Sequence, residues 1–162
     1  MELTYRPRRL RRTTSLRSLV RENILTASDF IYPLFIHEGQ DVQPIGAMPG
    51  ASRWSLDALI GEVERAWELG IRCVVLFPKI SEELKSEDGA ECFNANGLIP
   101  KAIRRLKQEL PEMTIMTDVA LDPYSCDGHD GIVSPTGVVL NDQTIEQLCR
   151  QAVVQASAGA DL

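Results

Sequence analysis

Three short apolar runs, each followed by helical periodicity, constrain this chain more than any other feature. DFIYPLFI (29–36), RCVVLFP (72–78) and TIMTDVAL (114–121) begin about 42 residues apart. Nearly continuous apolar runs of this length fit strands buried on both faces, as in a parallel sheet. After the first run, Ser55 can cap a helix that carries Leu56, Leu59, Ile60, Val63 and Trp67 on one side and closes at Gly70. After the second, Leu98, Ile99, Ile103, Leu106 and Leu110 line a helix that Pro111 stops. After the third, Asn141 or Asp142 opens a helix whose expected inward face is Ile145, Leu148, Cys149, Ala152, Val153 and Ala156, with Gly159 behind it. The order is β-α-β-α-β-α, with long loops after the strands at 37–54, 79–96 and 122–140. In (β/α) barrels those loops carry function.

The last residues extend the pattern. Gly70 leads into IRCVVL, a strand, and Gly159 leads into ADL, which reads as the first residues of a fourth strand. A closed eight-stranded barrel takes roughly 250 residues, more than the 162 here. The expected fold is therefore α/β: a partial (β/α)8 TIM barrel of about three βα units plus the start of a fourth strand. An extended N-terminal arm (1–24) precedes the barrel portion (25–162). A small self-contained α/β sandwich is the competing architecture. A part-barrel leaves apolar faces uncovered, so the isolated chain is expected to aggregate or oligomerise.

Composition excludes several classes. Hydrophobic residues are 44% and charged residues 25%, the globular average. No apolar run approaches the ~20 residues that span a bilayer, and no apolar segment follows the basic N-terminus as in a secretory signal. Cys73, Cys92, Cys126 and Cys149 form no CxxC and read as reduced thiols. The net charge of −6 is uneven: Arg6, Arg8, Arg9, Arg11, Arg12, Arg17 and Arg21 put a basic arm on an acidic body. Such an arm can bind nucleic acid, serve as a transit peptide, or reach an acidic neighbouring subunit. With Tyr5 as its one aromatic residue, base stacking has little to work with.

The third run opens into DVALDPYSCDGHDG (118–131), which holds Asp118, Asp122, Asp127 and Asp130 beside His129. If the strand continues through residue 122, Asp118 and Asp122 share one face and point together into a barrel mouth. Crowded carboxylates repel, and a divalent cation, an ammonium or a lysine would relieve them. Oxygen-only ligation suits Mg²⁺ and not Zn²⁺. Asp127 before Gly128 reads as a turn residue, and His129 as structural. Lys79, directly after the second run, is a candidate Schiff-base amine if desolvated. Lys85, Lys101 and Lys107 read as solvated charge.

TDVALDPYSCDGHDGIV resembles the metal-site segment of the porphobilinogen synthase (5-aminolevulinate dehydratase) family. RPRRLR, YPLFIHEG, MPG, LFP and QAVVQASAGAD are similar to that family in the same order, so the resemblance runs from about Tyr5 to Leu162. It implies a (β/α)8 barrel whose arm embraces a neighbouring subunit, in a homo-octamer. It also implies a lyase that condenses two molecules of 5-aminolevulinate, with loss of two waters, to porphobilinogen for heme and chlorophyll. Zinc-type members carry cysteines where this chain has Ala120, Asp122 and Asp130, so the resemblance is to the aspartate-rich, Mg²⁺-using type. Asp118, Asp122 and Asp130 are then the active-site carboxylates, for a metal ion, a solvated cation or a substrate amine. Cys126 stands where plant-like members have Ser. The family's two Schiff-base lysines are expected beyond Leu162, and none of the four lysines here matches them. The expectation is an N-terminal portion inactive by itself; the alternative is a non-catalytic fragment that associates with full-length subunits. Neither nucleic acid nor membrane is an expected partner. Met1 falls where the family's mature arm begins, so cytoplasm is expected, with plastid as the alternative.

Overall fold

The computed structural model describes Thr4 and residues 7–162; Tyr5 and Arg6 of the arm lie outside the described residues. Residues 7–26 hold a 3-10 turn at Arg9–Arg11 and one short α-helix, α1 (Thr14–Leu19), whose first turn is capped by the Thr13 hydroxyl. This stretch is exposed except for half-buried Leu16 and Arg17. Leu19, Ile24 and Leu25 each leave about seven-tenths or more of their surface in solvent.

The body is one sheet of five strands: β1 (Ile31–His37), β2 (Gln43–Pro44), β3 (Ser52–Trp54), β4 (Cys73–Lys79) and β5 (Thr114–Thr117). The spatial order is β2-β3-β1-β4-β5, parallel throughout except for the β2–β3 pair. The three apolar runs supply β1, β4 and β5, as the periodicity predicts. β2 and β3 lie inside the segment read as a loop, because strands of two and three residues are too short to show a period.

Three helices accompany the sheet. α2 (Leu56–Glu68) starts at Ser55, whose hydroxyl accepts the Ala58 N–H, and ends at Gly70 in the left-handed region (φ 91°). α3 is Leu98–Glu109. Both bury the faces their spacing predicts: Leu59 and Val63 of α2 and Ile99, Ile103 and Leu106 of α3 are almost fully enclosed. They share a core with Leu34, Ile36, Val74, Leu76 and Ile115 from alternate positions of β1, β4 and β5. On the opposite face of the sheet, Phe35 and Phe77 sit side by side with ring centroids 5.6 Å apart.

α4 (Asn141–Ala158) reverses its expected orientation. The buried stripe is Thr144, Gln147, Gln151, Gln155 and Ala158, while Ile145 is 50% and Val153 65% exposed. Cys149, Ala152 and Ala156 also face outward, and only Leu148 of the predicted face packs against the core. The reason lies in what α4 covers. Its inner side meets irregular backbone, whose carbonyls require donors that an apolar face cannot supply. Neither Asn141 nor Asp142 caps the helix; the cap position is Leu140.

Beyond α4 the chain turns at Gly159 (φ 110°) and runs alongside β5. Asp161 N–H donates to Ile115 O (2.9 Å) and Thr117 N–H to Leu162 O (3.0 Å), as expected for the start of a fourth barrel strand. The Asp161 carboxylate also accepts from Ile115 N–H (2.7 Å) and from Lys107 Nζ (2.6 Å), and Lys107 Nζ donates to Met113 O (2.9 Å). Lys107 is thus a half-buried ion-pair partner rather than a free surface charge.

Candidate functional site

β5 stops at Thr117, four residues short of the predicted strand. Its pairing with β4 runs only from Cys73↔Thr114 to Leu76↔Thr117, so no sheet partner remains for residues 118–121. The alternation expected through residue 122 ends with it: Asp118 and Val119 are exposed, Leu121 is 1% exposed in the core, and Asp122 is exposed again. Asp118 therefore stands just past the strand rather than within it.

Side chains of α4 replace the missing ladder. Gln155 Nε2 donates to Asp118 O (3.1 Å), and Gln151 Nε2 donates to Ala120 O (3.2 Å). Thr117 Oγ1 donates to Gln155 Oε1 (2.9 Å), which fixes the orientation of that amide. Further along, Leu121 O accepts from both Tyr124 and Ser125 N–H, turning the chain. Ser86 N–H to Tyr124 O and Cys126 N–H to Ser86 O then anchor the loop to the β4–α3 connection. The loop returns at Gly131, where an added Cβ would lie 2.8 Å from the Val139 side chain. Next to it, Ile132 N–H donates to Thr144 Oγ1 (3.0 Å).

This path brings the three predicted carboxylates into one neighbourhood. Partial burial holds the Asp122 carboxyl above the usual carboxylate range, and the negative charges of Asp130 and then Asp118 push it the same way. Among the described residues, no three His, Cys, Asp or Glu side chains gather into a metal-holding cluster. The three carboxylates act on one another electrostatically, and all three are exposed to solvent. Their chemistry fits a hard cation or an ammonium, either of which would lower the repulsion.

The other candidates separate cleanly. Asp127, His129 and Cys126 are exposed on the turn, where Gly128 adopts φ 64°. Lys79 is half-exposed and pairs with Glu82 at 2.6 Å, so it is not a desolvated amine. Lys85 pairs with the same carboxylate at 2.9 Å. Sequence reasoning missed Gln151 and Gln155, although Gln147, Gln151 and Gln155 recur every four residues, a stripe legible in QLCRQAVVQ.

Residues 4–162 match the family described as delta-aminolevulinic acid dehydratase. The chain belongs to this family. Over its whole length it is 57% identical to the chloroplastic delta-aminolevulinic acid dehydratase of Selaginella martensii and 54% identical to that of Glycine max, covering 39% and 40% of those relatives. The chain thus spans about two-fifths of the length of the curated relatives it matches. It also superposes on the crystal structure of delta-aminolevulinic acid dehydratase (porphobilinogen synthase) from Toxoplasma gondii in complex with the reaction product porphobilinogen. The TM-score is 0.95 at 48% identity, covering 98% of this chain and 46% of that one. A chain of the dehydratase family with this sheet order is part of a (β/α)8 barrel, and the self-contained sandwich is set aside.

Proposed function

We propose that this chain is the N-terminal portion of a porphobilinogen synthase, a lyase that condenses two molecules of 5-aminolevulinate to porphobilinogen in tetrapyrrole biosynthesis. The supporting observation is the match, over the whole of this chain, to relatives named for this enzyme. In this reading the carboxylates create a negative field at the barrel mouth. Asp122 and Asp130 hold a cation between them, and Asp118 adds charge from the strand end. Mg²⁺ fits the all-oxygen donor set better than Zn²⁺, which prefers thiolate and imidazole. When bound, it would supply positive charge and Lewis acidity. Without it, the same groups would orient the ammonium of one substrate.

The nucleophilic half of the chemistry is assigned to two lysines outside residues 1–162, as the family resemblance implies; within the chain Lys79 and Lys85 pair with Glu82 and Lys107 with Asp161. Purified chain with 5-aminolevulinate and Mg²⁺ is therefore expected to form no porphobilinogen in a colour assay; clear turnover would overturn this part of the proposal. The exposed Leu19, Ile24 and Leu25 favour a second role for the arm, packing on another subunit of the same kind. Mixing with a full-length synthase and sizing the product tests it, with failure to co-migrate as the negative result. The chloroplast locations printed in the relatives' names favour plastid over cytoplasm for the parent protein.

A further inference from the structure

We propose that Thr14 is a phosphoryl acceptor for an arginine-directed protein kinase, and that the arginine-lined hollow beside it holds the phosphothreonine so formed. The inference stands on residues of the arm alone and is independent of the enzymatic reading. Four arginines, Arg8, Arg11, Arg12 and Arg17, line one hollow of about 530 Å³. Among the described residues, no carboxylate pairs with any of the four. In the body of the protein, Arg65, Arg105 and Arg150 each have a carboxylate partner. The arm therefore concentrates like charge that an anion would relieve. Arg17 connects the hollow to Thr14: its Nη2 donates to Thr14 Oγ1 (3.0 Å) and its Nη1 to Arg11 O (3.0 Å).

The sequence around Thr14 fits the acceptor role. In RRTTSLRS (11–18), Thr14 alone among the hydroxyl residues has arginine both two and three positions before it. Kinases that select basic substrates read such a pair by complementary charge. Thr14 is exposed, and its Oγ1 only accepts in the contact with Arg17, so its own proton is left for removal. α1 has only six residues, and a helix that short unwinds at little cost, which lets a kinase take the segment in extended form. In the transfer, Thr14 Oγ1 attacks the γ-phosphorus of ATP. The Oγ1–P bond forms as the bond from that phosphorus to the β,γ-bridging oxygen breaks. ADP leaves, and the hydroxyl proton passes to the catalytic aspartate of the kinase. The product carries a charge of about −1.5 to −2 at neutral pH and three strong acceptor oxygens. Guanidinium groups match such oxygens in bidentate pairs. Arg17 already lies at hydrogen-bond distance from the oxygen that would bear the phosphate, and Arg8, Arg11 and Arg12 line the same hollow.

The test treats the purified chain with ATP and the catalytic subunit of cyclic-AMP-dependent protein kinase, which selects paired arginines. Fragment mass spectrometry is expected to place the phosphate on Thr14, and Thr14→Val to remove it. Arg11→Gln with Arg12→Gln is expected to slow the transfer about tenfold or more. Phosphorus NMR then follows the second ionisation of the phosphothreonine, ordinarily at about pH 6. The neighbouring guanidinium groups are expected to lower it by about one pH unit. Arg17→Gln and Arg8→Gln should each return it toward the ordinary value. Arg8 lies outside α1, so its variant keeps this readout open if Arg17→Gln unravels the helix. Transfer to Ser15 in place of Thr14, or no transfer, overturns the acceptor assignment. A phosphothreonine that titrates at the ordinary value in the parent chain overturns the hollow as its holder. So does a lowered titration that survives both arginine substitutions.

Discussion

Asp161→Ala probes the joint where the chain returns to the sheet. The substitution removes an acceptor 2.7 Å from the Ile115 N–H and 2.6 Å from Lys107 Nζ. A hydrogen bond to a charged acceptor contributes about 1.5–3 kcal/mol. The ion pair is partly exposed, with Lys107 23% and Asp161 41% accessible, so it adds at most about 1 kcal/mol. The expected loss is therefore about 3 kcal/mol. With a urea slope of about 1–3 kcal/mol per molar, the unfolding midpoint drops by about 1–3 M. Fluorescence of Trp54 and Trp67 at submicromolar concentration reads the transition. Lys107→Met, which keeps the Ile115 contact, is expected to lose less.

The pH dependence of this loss has a defined sign. Burial raises the Asp161 carboxyl, but the Ile115 N–H and the Lys107 ammonium outweigh it and hold the group below the usual range. A lowered folded value means the contribution is full above the unfolded carboxylate pKa of about 4 and fades as pH falls through the folded one. The gap between parent and Asp161→Ala should therefore shrink on acidification. A midpoint shift worth less than about 0.5 kcal/mol, or a gap that widens in acid, would refute the assignment.

Other outcomes follow from burial. Burial first, then the charges of Asp88 and Glu91, pushes the Cys92 thiol up to about 12, whereas Cys126 and Cys149 are exposed. A thiol reagent at neutral pH should label Cys126 and Cys149 quickly and Cys92 only on unfolding; fast labelling of Cys92 would contradict its placement. The outward Ile145 and Val153 predict self-association of the chain, reduced by Ile145→Lys with Val153→Lys, as read by light scattering after size exclusion. A monomeric parent chain would count against this.

The parts of the fold that were legible in the sequence are those where apolar side chains meet apolar side chains. β1, β4, α2 and α3 follow their periodicities because each packs on the shared core around Leu34, Leu76 and Ile103. The third strand was overread because TIMTDVAL is apolar at both ends, yet Leu121 reaches the core only after the chain has left the sheet. α4 was read inside out for a related reason. Periodicity locates two faces on a helix, but it ranks them by hydrophobicity, and here part of the neighbour is irregular main chain whose carbonyls need donors. The identities of Asp118, Asp122 and Asp130 were legible from residue type and resemblance. Their path through space depends on the turn at Leu121 and the return at Gly131, which no local pattern encodes.

The glutamine contacts of α4 end on carbonyl oxygens, groups that every residue type possesses. A scaffold that grips only the main chain is blind to what projects from it. The side chains at positions 118 and 120 can therefore change without removing the acceptors that Gln155 and Gln151 grip.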